Sequence, residues 1–397
     1  MRHHGRVRTF ADGLGLDADL LVAAEVAAQQ AIVGLDGCPP DLVCTFVSGG
    51  DPEQVAAAGE RVAELLGAGA MVGCSADGVI GRARGVEGRA AVSVWAGALP
   101  GARLRSFHLE VMPADAGVAV IGMPERRDDD RVALLLADAY SFPADGFVSR
   151  ANDAVAGLPI VGGLAAGAQG AGSTRLWIDG RTVDRGAVGV VLGGDVPVHA
   201  LVSQGCRPIG PAMTVTKAAG NVIHELAGRP AIEKLQQLLA ELPPVEQAIA
   251  SRGLQLGIAL DEYVEDHDRG DFLVRGILGA DPDSGGLVVG DLVEVGCTVR
   301  LQVRDADAAD EDLHQLLAGF RHGGGGPVGG ALLFSCNGRG AGMFGAGLGG
   351  ADHDVTVVRQ ELATSGVAGF FAGGELGPVG GRNHLHGFTA SVLAFPA

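Results

Sequence analysis

The chain has 397 residues, 47% of them apolar, with 66 glycines and only 4% aromatic residues. That is enough to bury a sizeable core in two or three domains. A net charge of −18 argues against a nucleic-acid binder, which needs clustered Lys and Arg, and against adhesion to anionic membranes. Cys38, Cys44, Cys74, Cys206, Cys297 and Cys336 are scattered with no CxxC pair. They fit reduced thiols in a cytoplasm better than a disulfide framework or a zinc site. No hydrophobic stretch follows residues 1–6 as in a signal peptide, and no run of about 18 apolar residues reads as a membrane span.

In chain order, Leu42–Ser48 reads as a buried strand. Asp51-Pro52-Glu53-Gln54 then starts a helix, with Asp51 as N-cap, Pro52 in the first turn and Gln54 completing a capping box. Val55, Val62, Leu65 and Leu66 share one face of it. A short strand, 71–78, ends in a small-residue turn, and 90–95 closes the unit. The unit recurs: 132–136 matches the first strand, 160–167 the turn and 185–190 the closing strand. A matched offset over separate segments speaks for duplication. A looser third copy comes from 331–336, 367–374 and 387–393, against the alternative that Gly/Ala/Val-rich strands look alike by chance.

Between the second and third copies the chain changes character. Residues 213–216 and 221–223 suggest a β-pair, and a helix from Pro230 carries Ile232, Leu235, Leu238, Leu239 and Leu242 on one face. Strands 272–278 and 287–289 flank the turn 281–286, and Val299-Leu301-Val303 alternates into a helix bearing Leu313, Leu316, Leu317 and Phe320. The glycines at 323–326 form a connector. Strands alternating with helices imply an α/β chain of mixed α+β character. We expect layered mixed sheets with outer helices, internal repeats and two domains, 1–208 and 209–397.

Several ordered motifs make the chain resemble the FIST family, named for F-box and intracellular signal transduction proteins. In the amino-terminal part these are Val72-Gly73-Cys74-Ser75, Ile160-Val161-Gly162-Gly163 and Gln204-Gly205-Cys206-Arg207-Pro208-Ile209-Gly210. In the carboxy-terminal part they are Gly220–Leu226, Phe334–Gly340, Gly373–Pro378 and His386–Thr389. The resemblance implies FIST N and FIST C domains and a sensory role toward small ligands, amino acids or their derivatives among them. It also implies a separate protein signalling partner. No F-box-like helical segment is expected before residue 40, so a ligase-adaptor role is not expected either.

The candidate ligand-binding residues are Cys336, Asn337, Arg339, Glu375, Asn383, His384, His386, Arg207 and Cys74. Cys336 ends a buried strand before a glycine turn, where a guanidinium could activate a thiol nucleophile; an inert buried cysteine is the alternative. Arg339 suits a carboxylate or phosphate clamp, or a structural ion pair with Glu375. His384 and His386 share a strand face, but no second ligand pair supports a metal; with Asn383 they read as hydrogen-bonding pocket residues. Arg207 is placed near the domain junction, and Cys74 matches Gly163 of the second copy. Gly162–Gly167 lacks the spacing of a nucleotide loop, and the acidic run 261–268 lacks the calcium-loop glycine and terminal Glu. No cofactor or metal is expected. The favoured function is a cytoplasmic small-ligand sensor, with a Cys336-dependent enzyme or a ligand-free adaptor as alternatives.

Overall fold

The computed structural model describes residues 7–114, 117–167, 170–251, 253–264, 267, 269–281 and 283–397. Packing divides them into two units. The larger runs to Ser203 and resumes over Leu313–Leu385 and Thr389–Ala397; the smaller holds Gln204–Asp312 and His386–Phe388. The cut expected at 208/209 follows the sequence motifs, whereas packing follows the repeats. The third repeat starts before the smaller unit and ends after it.

The first repeat comprises β1 (Thr9–Gly15), α1 (Leu20–Gly34), β2 (Leu42–Ser48), α2 (Pro52–Leu66), β3 (Ala70–Ala76), the hairpin β4 (Gly78–Gly81) and β5 (Arg84–Glu87), and β6 (Ala91–Ala98). The second comprises β7 (Ala102–Ala114), β8 (Gly117–Ile121), β9 (Asp130–Asp138), α3 (Ala144–Ala154), β10 (Ile160–Ala165), the hairpin β11 (Leu176–Ile178) and β12 (Arg181–Val183), and β13 (Ala187–Gly194). The strand β14 (His199–Ser203) opens the third.

Next come β15 (Cys206–Ala219), β16 (Val222–Leu226), β17 (Arg229–Pro230), α4 (Ala231–Glu241), α5 (Pro244–Ala250), β18 (Leu254–Ala259), β19 (Phe272–Ala280), β20 (Leu287–Val289) and β21 (Thr298–Arg304). They form the sheet β15-β21-β18-β19-β20-β16-β17 of the smaller unit, with α4 and α5 against an apolar cluster on one face. The third repeat then resumes with α6 (Ala306–His322), β22 (Val328–Cys336), α7 (Ala341–Phe344), α8 (His353–Leu362), β23 (Gly366–Ala372), the hairpin β24 (Glu375–Val379) and β25 (Arg382–His386), and β26 (Ala390–Pro396).

The three copies share one topology. In each, two parallel strands are joined by a helix, and the closing strand returns antiparallel to the first: β2/β3 with β6, β9/β10 with β13, β22/β23 with β26. Each copy also lends its hairpin to a neighbour, so that β4 extends the sheet of β23, β11 that of β3, and β24 that of β10. The exchange runs cyclically through all three sheets. Their inner faces meet in one core cluster, and each outer face is covered by its own helices. The third copy is therefore a complete repeat.

One glycine is required by this architecture. Gly73, Gly162 and Gly369 occupy the same register position, opposite Thr45, Leu135 and Leu333 of the parallel neighbour. A Cβ there would lie 2.2, 2.0 and 1.7 Å from those residues' carbonyl oxygens. The obstruction is backbone, which cannot swing aside. Gly369→Ala is expected to cost on the order of 3 kcal/mol or more by overpacking, read as a fall in the denaturation midpoint.

The capping box at Asp51 forms as the sequence suggests: Asp51 accepts from the amides of Glu53 and Gln54, while Gln54 reaches back to the Asp51 amide. The stretch before residue 40, where the sequence reading places no element, holds a helix, α1, laid on the first sheet. Its alanines 23, 24, 27, 28 and 31 are buried, yet Leu21, Val22, Val26 and Val33 are exposed. With apolar residues on both faces it lacks the one-sided stripe that marks an amphipathic helix. Of the acidic run, residues 261–263 are exposed, whereas Glu265, Asp266 and Asp268 lie outside the described residues, as does Pro282 of the 281–286 turn. No described helix is long and apolar enough to cross a membrane.

Candidate functional site

The three-fold repetition supplies an internal control for each polar residue. The last residues of the first strands, Ser48, Asp138 and Cys336, are equivalent by register. Each alternates with inner-face core residues such as Phe46, Leu136 and Phe334, so each points to the same end of the shared core. On the lent hairpins, Leu176, Glu375 and Val79 are equivalent, being paired with Cys74, Gly163 and Phe370. Leu176 and Val79 are fully buried members of that core. Glu375 is just as buried. Where two repeats place an aliphatic side chain, the third places a carboxyl.

Thr389 holds one oxygen of this carboxyl: its backbone N–H and its hydroxyl donate to Glu375 Oε2 at 3.1 and 2.9 Å. Cys336 lies beside the carboxyl and interacts with it, but no donor reaches Oε1 within hydrogen-bond geometry. Burial pushes Glu375 up to about 8, against the opposing pull of Thr389, Cys336 and the Arg339 charge. At neutral pH the group is therefore a protonated acid next to a thiol, with Oε1 outside the hydrogen-bond geometry of the described donors. The Cys336 amide donates to Thr389 O at 3.0 Å, fixing the strand end, and the Gly338 amide lies 3.5 Å from the sulfur. Exposed Asn337 accepts from the Cys336 thiol through Oδ1 at 3.8 Å and donates to Asp77 Oδ2 at 3.5 Å.

Arg339 is not paired with Glu375. Its guanidinium is wholly buried and grips Asp354 bidentately, Nε to Oδ2 and Nη2 to Oδ1, both at 2.8 Å. Ser335 Oγ donates to the same carboxylate at 2.6 Å, and His353 Nδ1 lies 2.8 Å from Oδ1. Phe344 stacks on His353 and lies under the Arg339 guanidinium, its centroid 5.2 Å away. The Arg339 charge and these hydrogen bonds hold Asp354 well below the usual carboxylate range despite burial. Asp354 lies 15 positions beyond Arg339 on α8, outside the motif that drew attention to the arginine, and no sequence pattern linked the two.

Of three other candidates, two have partners for their side chains and one lies in the core. Arg207, in the smaller unit, bonds Asp305 through Nε at 2.6 Å and Glu246 through Nη2 at 2.9 Å. Cys74 is a core residue whose thiol burial pushes far up. Asn383 accepts from the Ile160 amide at 2.8 Å and donates to Leu158 O at 2.9 Å, tying β25 to the start of β10. Asn383→Ala would leave that buried amide without its acceptor, so a loss of about 1–3 kcal/mol is expected, measurable by urea denaturation. His384 is half-buried and His386 buried on β25. Among the described residues, no group of three or more His, Cys, Asp or Glu side chains is arranged to hold a metal.

Comparison with known proteins identifies the family. The FIST N domain model matches residues 41–229 and the FIST C domain model residues 231–378. The chain belongs to the FIST family. Full-length relatives include an uncharacterized protein of Mycobacterium tuberculosis H37Rv, 41% identical over 383 residues, covering 96% of this chain and 98% of the relative. An uncharacterized protein of Mycobacterium bovis is 40% identical over 385 residues, covering 96% and 97%. FIST domains are associated with signal transduction.

Proposed function

We propose that this FIST protein is a cytoplasmic sensor that takes up a small ligand at the Cys336–Glu375 end of its third repeat. The site would be built mainly by the part of the chain after residue 208, and its output passed to a separate protein partner. The observation that carries the reading is Glu375: a buried acid with an unpartnered oxygen, at a position that the other repeats fill with Val79 and Leu176. Such a group is destabilising unless something uses it. A neutral acid offers a hydrogen bond to an acceptor on the ligand, amino acids and their derivatives being the first class to try. Cys336 and Asn337 would line the site, with His384 on the adjoining strand. Arg339 acts through Asp354 as scaffold.

Thermal-shift and calorimetric titration over amino acids and related small molecules tests this. A stabilising ligand should still bind Glu375→Gln, which keeps shape and a donor, and should bind Glu375→Val at least about tenfold more weakly. Equal binding to both variants, or no stabilising ligand, would remove the basis of the proposal. A second reading, a thiol enzyme, is favoured by one observation: Cys336 adjoins a carboxyl able to exchange a proton near pH 8. It requires an electrophile to label Cys336 faster than half-buried Cys38.

A further inference from the structure

The smaller unit contains buried polar groups that its own fold leaves unused. On its sheet, Val299, Leu301 and Val303 of β21 and Leu256 of β18 face the apolar cluster. By alternation, Gln302 of β21 and Gln255 of β18 face the other side, directly opposite each other in register. Gln302 is completely buried, and neither atom of its amide has a partner. Gln255 is 8% exposed, and its Oε1 has none. Gln204, 6% exposed, donates Nε2 to the Phe272 carbonyl at 3.1 Å, which leaves its Oε1 unpartnered as well. Folded interiors leave few such groups unsatisfied, and here three amides on one unit share the condition.

Two glycines lie beside them. At Gly257 a Cβ would lie 2.6 Å from Gln302 Nε2 and 2.9 Å from Phe272 Cβ, so the bare backbone is what admits the Gln302 amide. Gly276 pairs with Gln255, and a Cβ there would meet nothing nearer than Gln255 Oε1 at 3.7 Å.

We propose that Gln302, Gln255 and Gln204 form a binding site for a small molecule bearing a primary carboxamide. Whichever way the Gln302 amide is turned, it presents one unused donor group and one unused acceptor. A ligand carboxamide pairs with both at once and has a second N–H for an oxygen of Gln255 or Gln204. A carboxylate would set its oxygens against those acceptors, and an ammonium would leave the Gln302 donor unmatched. The inference rests on the smaller unit alone and is independent of the Cys336–Glu375 reading.

Calorimetric titration of the full chain with matched pairs decides it: L-glutamine against L-glutamate, L-asparagine against L-aspartate, and propionamide against propionate. At least one amide should bind about tenfold or more tighter than its acid, since a site built for an amide rejects the group that cannot reproduce its hydrogen bonds. Gln302→Leu and Gln255→Leu should each weaken that binding about tenfold or more, while Glu375→Val leaves it unchanged. Should Gln302→Leu fail to fold, Gln255→Leu decides. Amides that bind no better than their acids, or that bind the leucine variants equally well, would overturn the proposal. So would loss of amide binding in Glu375→Val alone, which would assign the ligand to the other site.

Discussion

Replacing Arg339 with methionine is expected to destabilise the protein by about 3–5 kcal/mol, the usual cost of removing one partner from a buried ion pair. Asp354 would remain buried, with the Ser335 hydroxyl and the His353 ring as its neighbours. The double variant Arg339→Met, Asp354→Asn should recover part of the loss, because the uncompensated charge has gone. The pH dependence carries a sign of its own. Asp354 titrates well below its unfolded value in the native protein, so between the two values the unfolded chain binds more protons and stability rises with pH. That contribution is complete above the ordinary carboxylate range and is lost on acidification. Denaturant titration at pH 3, 4 and 6 should show it in the wild type and a flatter profile in Arg339→Met. Parallel profiles would contradict the account.

The unequal legibility of these residues has physical causes. The start of α2 could be read because its signals are local: Asp51, Pro52 and Gln54 act on neighbouring backbone groups. The repeat could be read because its strands pack against the same core, and the glycine at positions 73, 162 and 369 meets the same carbonyl each time. The exchange of hairpins could not, since nothing within residues 78–87 records that they pair with β23 rather than with their own sheet. The Arg339–Asp354 pair was hidden similarly: the arginine stood out in its glycine turn, while its partner looked like an ordinary first-turn acid of α8. Glu375 stood out by its motif, but its meaning depended on register. Only the pairing with Gly163 shows it to be the counterpart of Val79 and Leu176.

That equivalence leads to the other large effect. Glu375 has an ordinary value of 4.5 when unfolded and about 8 in the folded protein. Between the two the native state holds the proton that the unfolded chain has released, so stability falls as pH rises from about 4.5 to 8 and then levels. At 1.36 kcal/mol per unit this amounts to about 3 kcal/mol at pH 7 and about 5 kcal/mol above pH 8. Glu375→Gln cannot ionise and escapes the loss, and Glu375→Val restores the aliphatic residue of the first repeat. Urea denaturation at pH 5, 7 and 9 should show the variants close to the wild type at pH 5 and increasingly more stable at the higher values. Every other titrating group is common to the compared proteins, so the widening difference belongs to this carboxyl. A difference constant across the range would mean that Glu375 is ionised in the folded state throughout, and the neutral acid required by the proposed site would not exist. A fold gains nothing by placing a titrating acid where valine or leucine already serves in two sister repeats, and the widening gap measures the stability given up to keep one there.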